Sequence, residues 1–202
     1  MNNIEYVIKA DTKKYKEEFN KLFQKIKNYF IDDFSLSYRL VGSSKRNLVI
    51  KHHNKGFDLD YQIIIKKTKS NLTNPKEIKK AFFDFIQNNT KSKYKIENSK
   101  SAITIKKVKN NQITISFDIV IVKENNNSCQ ILRRTKDNNF GFEELPEYSD
   151  FKNNMKIIKE NRLGNSLREQ YLWDKKENIR TSRKEKSYLT LIRSAKTIVD
   201  NF

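Results

Sequence analysis

Two segments of this chain are apolar enough to lie inside a sheet and yet carry carboxylates there. The first, Phe57-Asp58-Leu59-Asp60-Tyr61-Gln62-Ile63-Ile64-Ile65, is marked as a strand by its alternation and its β-branched and aromatic residues. Asp58 and Asp60 stand two apart, so their side chains leave one face while Phe57, Leu59 and Tyr61 leave the other. The second strand, Gln112 to Val122, carries Asp118 between Phe117 and Ile119. Aspartate is depleted in strands and costly to bury unpaired. An isolated Asp-x-Asp is most often the solvated face of an exposed strand. If the two strands are neighbours, however, the three carboxylates converge. Such a set suits a hard divalent cation, Mg²⁺ or Mn²⁺, which takes oxygen ligands. Two such ions about 4 Å apart can activate an attacking hydroxyl and stabilise a leaving pyrophosphate.

The remaining segments predict what surrounds such a sheet. From Lys13 to Phe30, Tyr15, Phe19, Leu22, Phe23, Ile26 and Phe30 recur at three- and four-residue steps, an amphipathic helix that Asp11 or Thr12 would cap. Leu36 to Val41 alternates as a short strand into Gly42-Ser43-Ser44, and Lys45 to Gly56 is a polar, basic stretch. Asn74-Pro75 opens a helix with Ile78, Phe82, Phe85 and Ile86 on one face. Lys93 to Lys107 reads as one or two strands, Cys129 to Leu132 as another, and Asn138 to Gly141 as a turn. Beyond Tyr148 the pattern is helical: Phe151 to Glu160, Ser166 to Lys176 and Ser187 to Phe202, with Gly164-Asn165 as a stop and restart. The order is that of an α+β or α/β chain without internal repeats.

Charge narrows the partners less than it first promises. The chain holds 42 Lys and Arg against 24 Asp and Glu, a net +18, which suits a polyanion such as RNA or DNA. That charge is spread along the whole chain, and its company of Asn and Ile is the bias an AT-rich genome imposes unaided. No apolar run nears the roughly 20 residues that span a bilayer, and Met1 to Lys9 has no secretion-signal core. The single Cys129 excludes a disulfide framework and reads as a small hydrophobe. A soluble, cytoplasmic protein is expected. His52-His53 read as exposed loop residues before metal ligands, and Arg180 to Lys186 as a solvated approach to a helix or a phosphate contact. P-loops, dinucleotide-binding glycine motifs and hydrolase triads are absent.

Three motifs then carry a resemblance. Gly42-Ser43, Phe57-Asp58-Leu59-Asp60-Tyr61 and Phe117-Asp118-Ile119 resemble the pattern of DNA polymerase β-type nucleotidyltransferases. Farther on, Phe140-Gly-Phe142-Glu-Glu-Leu-Pro146 resembles the strand and aromatic–Pro segment of bacterial cyclic GMP–AMP synthase-like enzymes, the CD-NTases. Leu167 to Lys175 is similar to their helix whose lysine approaches the triphosphate, and Lys186-Ser187-Tyr188-Leu189 to their Ser–Tyr pair. The resemblance implies a polymerase β-like core, a mixed sheet with flanking helices, over residues 35–147. A short C-terminal helical lobe would occupy 148–202, and an N-terminal helix within 1–34 would pack across both.

It further implies Asp58, Asp60 and Asp118 as catalytic metal ligands, with Asp118 also taking the acceptor's proton. Gly42, Ser43, Lys175 and Ser187 would cradle the triphosphate of ATP or GTP, with Tyr188 against the base. The implied reaction moves a nucleoside monophosphate from an NTP to a hydroxyl, in a synthase of cyclic or linear oligonucleotide signals used in anti-phage defence. A toxin-like transferase acting on RNA or protein, and a non-catalytic RNA- or nucleotide-binding relative, are the alternatives. The sequence departs from the family at Ser44-Lys45-Arg46, where many members carry an Arg-Gly-Thr-like run, and in its short C-terminal lobe, which leaves the acceptor side of the pocket and the need for a protein partner open. His52, His53 and Cys129 supply no equivalent of the animal enzymes' zinc insertion. A plain core-helix reading of the same region would bury Leu172, Trp173, Leu189 and Ile192.

Overall fold

In the computed structural model, which describes residues 4–52, 56–125, 128–137, 139–145, 148–181, 183 and 185–202, helices flank a mixed sheet. The first half of the chain forms β1 (Ile4–Tyr6), α1 (Lys9–Tyr29), β2 (Phe34–Leu40), α2 (Gly42–Lys45), β3 (Ile50–His52), β4 (Phe57–Thr68) and α3 (Pro75–Asn89). The second half forms β5 (Tyr94–Asn98), β6 (Ala102–Lys109), β7 (Gln112–Asn125), β8 (Ser128–Arg134), β9 (Phe140–Glu144), α4 (Ser149–Glu160), α5 (Gly164–Arg180) and α6 (Ser187–Asp200). The large sheet runs β2-β4-β7-β6-β5; β8 pairs with the last residues of β7, Val122 to Asn125, and β9 pairs with β8. The β4–β7 pairing is parallel; the other described pairings of this sheet are antiparallel. Gly56 (φ +67°) leads into β4 so close to β7 that a Cβ there would lie 2.5 Å from the Thr114 carbonyl oxygen. Only glycine tolerates both the backbone angle and the approach.

Strand alternation sends Leu59, Tyr61, Phe117 and Ile119 into a core with α1 and α3. Phe19 stacks on Tyr61 at 3.5 Å between ring centroids, and Phe30 on Phe82 at 4.4 Å. Burying each such ring is worth about 1.5–3 kcal/mol, so this layer supplies much of the folding drive. The pattern expected of α3 is present, with Asn74 capping it by accepting from the amides of Lys76 and Glu77. α1 begins at Lys9, ahead of its apolar repeat, behind an Ile8 N-cap that offers no side-chain bond. Asp11 and Thr12 therefore lie inside its first turns, and the Thr12 hydroxyl donates to the Lys9 carbonyl.

Other boundaries move as well. The polar stretch before Gly56 contains β3, which pairs with β1, and the buried Leu48 and Val49. The turn expected at 138–141 gives way to β9 from Phe140, with Asn138 outside the described residues, as are His53 and Pro146. Gly164 opens α5 instead of stopping a helix; the reversal falls at Arg162, whose φ is +56°.

The C-terminal helices build a second core from Phe151, Ile158, Leu167, Tyr171, Leu191 and Ala195. Leu48, Tyr6 and Ile50 join it from the β1–β3 side, and the Tyr6 hydroxyl donates to the Arg168 carbonyl at 2.5 Å. The buried apolar side chains of α1, the helix expected to pack across both lobes, all lie in the sheet core. Of the four residues a core-helix reading would bury, Trp173 and Leu189 are exposed and Leu172 and Ile192 half-buried. The buried face of α5 is instead partly polar. Asp174, fully buried, accepts from Arg193 Nη1 at 2.5 Å and Ser194 Oγ at 2.6 Å. Asn178 clasps the backbone of Glu185 from both sides, at 2.9 and 3.1 Å.

Truncating Asp174 removes one partner from the Arg193 guanidinium, which keeps Glu185, and one from the buried Ser194 hydroxyl, which keeps the Thr190 carbonyl. Asp174→Ala should cost about 3 kcal/mol, the low end for a broken buried pair because Arg193 can turn to water. The melting temperature should fall by roughly 6–12 °C, with Asp174→Asn losing less.

Candidate active site

The parallel register sets Asp58 opposite Ser116 and Asp60 opposite Asp118. All three carboxylates therefore leave the sheet face turned away from α1 and α3. Asp58 is exposed, Asp60 and Asp118 half-buried. The Ser116 hydroxyl donates to Asp58 Oδ1, and Thr104 Oγ1 on β6 donates to Asp118 Oδ1 at 2.6 Å.

Where β2 ends, the chain turns over this row. Gly42 (φ +63°) lies so close to Asp60 that an added Cβ would stand 2.6 Å from Oδ2. Gly42 and Ser43 begin the helical turn α2, and the Ser43 carbonyl accepts from the amides of Arg46 and Leu48 at 3.1 and 3.0 Å. Ser44, buried, fixes the turn to β4: its hydroxyl donates to the Asp58 carbonyl at 3.5 Å and accepts from the Asp60 amide at 3.4 Å. Arg46 Nη1 donates to the Gly42 carbonyl at 3.1 Å, with its guanidinium 4.9 Å above the Phe151 ring.

α5 and α6 form the facing wall. Lys175 Nζ donates to Ser187 Oγ at 2.8 Å. Burial lowers the Lys175 pKa, and the charges of Asp58 and Glu185 oppose that shift. Tyr171, buried, is hydrogen-bonded to Ser187 and lies within electrostatic reach of Asp60; burial is the main reason its pKa is raised. Tyr188 sets its edge against Tyr148 and Phe151 at 5.5 and 5.6 Å and keeps 39% of its surface exposed. The eight residues singled out in the sequence thus come from β4, β7, α2, α5 and α6 toward one region. Cys129 lies apart from it, half-buried, accepting at 3.4 Å from Arg39. His52 pairs with Ile4 through its backbone.

Sequence reasoning missed Ser44, Arg46, Thr104, Ser116 and Tyr171. Ser44 and Arg46 adjoin the Gly-Ser motif, a signal available in the sequence. The other three depend on strand pairing and helix packing that no local pattern carries.

Electrostatics makes this row unlike a solvated face. Burial, then the charge of Asp118, then that of Asp58 push Asp60 up to about 7 from an ordinary 3.8. Asp118 is also raised by burial, with Thr104 opposing and Asp58 adding. Among the described residues no three His, Cys, Asp or Glu side chains are arranged to hold an ion as they stand, since Asp58 and Asp118 are turned to hydroxyls. The donor chemistry nonetheless fits a hard divalent cation: carboxylate oxygens only, crowded until one resists ionisation.

The sign of the Asp60 shift gives a test. A carboxylate whose folded pKa is raised stabilises the fold below its unfolded pKa near 4, and that stability drains away as pH climbs through about 7. In chelator-treated protein, Asp60→Asn should match wild type near pH 4. At pH 8 it should melt at least ~2–4 °C higher, the shift expected per kcal/mol for a chain of this size.

No protein-family model and no curated protein sequence matches the chain. Solved structures do. Escherichia coli MS115-1 CdnC with ATP superposes with a TM-score of 0.58 at 15% identity, over 97% of this chain and 62% of that one. CdnC in its complex with HORMA-deltaN gives 0.59 at 16% identity, over 98% and 61%. The Bradyrhizobium diazoefficiens CD-NTase CdnG with GTP gives 0.56 at 11% identity, over 74% and 42%. The chain thus spans between 42% and 62% of the length of these proteins, and at such identities the likeness establishes architecture. This chain has the polymerase β-like nucleotidyltransferase fold found in the CD-NTases.

Proposed function

We propose that this chain is a nucleotidyltransferase that moves a nucleoside monophosphate from an NTP to a hydroxyl, dependent on Mg²⁺ or Mn²⁺. The observation that carries the reading is the register that sets Asp60 beside Asp118 with Asp58 next along β4. Held by these three, a divalent cation would supply positive charge against the phosphate oxygens. Gly42, lacking a Cβ, lets the Gly42–Ser43 turn lie directly against the Asp60 carboxylate, and Lys175 with Ser187 offers donors to the triphosphate from the facing wall.

In the transfer the acceptor oxygen attacks the α-phosphorus, and its proton passes to the Asp118 carboxylate. The bond from the α-phosphorus to the oxygen bridging it to the β-phosphorus breaks, and that electron pair leaves with pyrophosphate. Thr104 keeps one Asp118 oxygen engaged and so orients the carboxylate. ATP and GTP are the favoured donors, in line with the nucleotides bound by CdnC and CdnG. Within this chemistry we favour a cytoplasmic synthase of cyclic or linear oligonucleotide signals in anti-phage defence, working with a protein partner and touching RNA or DNA through its basic surface.

Incubation with four labelled NTPs and Mg²⁺ or Mn²⁺ should yield small, phosphatase-resistant products, and Asp58→Ala with Asp60→Ala should abolish them. Label on added tRNA or protein instead would favour the toxin-like reading. Neither product nor cation-dependent NTP binding by folded protein would overturn both.

Tyr188 tests the base contact. If its exposed ring stacks on the base, Tyr188→Ala should weaken NTP binding by roughly ten- to a hundredfold while Tyr188→Phe stays near wild type. A lowered melting temperature with unchanged affinity would reduce Tyr188 to its packing against Tyr148 and Phe151.

A further inference from the structure

Two of the seven large apolar side chains exposed among the described residues lie together where α1 runs out: Tyr29, 65% exposed, and Ile31, 54%. Tyr29 walls a hollow of about 540 Å³ between the end of α1 and α3. Its ring leans on Phe85 at 4.5 Å between centroids, and the half-buried Leu72 and Ala81 add apolar surface that a ligand can reach. The α3 residues that line the hollow run from Glu77 through Lys80, Ala81 and Asp84 to Asn88, one stripe about 16 Å long. It lies beside the stripe of Ile78, Phe82 and Ile86 that enters the sheet core.

Charge says what covers this groove. The chain carries a net +18, yet the hollow is lined by Asp33, Glu77 and Asp84 against Lys80 alone. Lys80 takes Asp84 at 2.5 Å, which leaves Asp33 and Glu77 unmatched by any cation lining the hollow. Asp32, exposed, adds a further negative charge in the same turn as Ile31. A polyanion is repelled here, and a bare cation would leave the apolar surface in water.

We infer that this groove docks a basic segment of a partner protein, one in which arginine or lysine side chains flank an aliphatic one. The cations meet Asp33 and Glu77, and the aliphatic side chain covers Leu72 and Ala81. The exposed Tyr29 ring takes the stem or guanidinium of an arginine. A stripe of that length accommodates about five residues of extended chain. None of the lining residues belongs to the carboxylate site, which leaves this surface independent of the nucleotidyl-transfer reading.

The test titrates an unlabelled, end-capped hexapeptide of alternating arginine and leucine into the full chain by calorimetry. Saturable single-site binding is expected, weakening as salt screens it. Asp33→Asn with Glu77→Gln, which keeps the side-chain volumes, should lower affinity at least about tenfold. Ala81→Arg, which places a cation in the groove on a helix that tolerates it, should block binding. Circular dichroism at the titration temperature shows that each variant is folded. The carboxylate row also attracts cations, so Asp58→Ala with Asp60→Ala is the control and should bind the peptide like wild type. No binding by wild type, or unchanged affinity in Asp33→Asn with Glu77→Gln, overturns the proposal. So does loss of binding in the control, which moves the peptide to the carboxylate row. Equal affinity for a hexapeptide of alternating arginine and serine would reduce the contact to charge alone and also overturn it. Self-association of wild type in sedimentation velocity that Ala81→Arg abolishes would give the groove to a second copy of this chain and sink the partner segment. Every readout is binding, so failure here is distinguishable from failure of the nucleotidyl-transfer reading.

Discussion

The crowding of Asp60 against Asp118 is the constraint around which the rest of the molecule is arranged. Two like charges at one register position of a parallel strand pair repel, and their half-buried setting strengthens that repulsion. A sheet keeps such a pair only if the strands are fixed by interactions elsewhere. Here the other faces of β4 and β7 supply that: Leu59, Tyr61, Ile63, Phe117, Ile119 and Ile121 are locked under the aromatic layer of α1 and α3. Gly56 lets β4 approach the β7 backbone at its first residue, and Ser44 ties α2 to β4 between Asp58 and Asp60. The apolar face thus sustains the strain that the polar face stores, an arrangement expected where a cation or a charged substrate is to relieve it.

β4 and β7 were legible in the sequence because period-two alternation and β-branched residues continue long enough to outweigh their aspartates. α3 was legible for a different reason: Asn74 and Pro75 sit where a helix must satisfy its first amides, and the structure uses Asn74 for that. β1 and β3 were not, since each is three residues long and neither shows periodicity among its charged neighbours. Their existence depends on pairing with each other across the intervening α1, β2 and α2. Nor does alternation say whether two strands run parallel. Asp60 faces Asp118 because the chain crosses over through α3, β5 and β6 before returning, a property of topology and not of either segment.

The facing wall was read from its motif and is explained by its packing. Lys175 and Ser187 stand on different helices, and flexible ends would not hold a 2.8 Å contact between them. The segment joining α5 to α6 is instead stapled through Asn178 and Glu185, and Arg193 reaches both Glu185 and the buried Asp174. A polar network in that position costs desolvation that an apolar core would avoid. What it gains is a fixed register between the helices, because hydrogen bonds discriminate among alignments that greasy contacts tolerate. Tyr171 extends the same logic toward the sheet, meeting Ser187 while its charge-sensitive hydroxyl senses Asp60.

β7 and β6 therefore act as a shared wall with different chemistry on each side. Residues one step apart, Phe117 and Asp118 or Ile105 and Thr104, face the buried core and the carboxylate row respectively. A pleated strand cannot shift one side chain's Cα without moving its neighbour, so anything that displaces Phe117 or Ile105 also moves the Thr104–Asp118 hydrogen bond. The spacing between Asp60 and Asp118 is the quantity such a displacement would change, since Ser44 ties β4 to α2. Repulsion between closely spaced charges falls steeply with distance in a half-buried setting. A displacement of the apolar face would thereby alter the mutual repulsion of the carboxylates on the polar face.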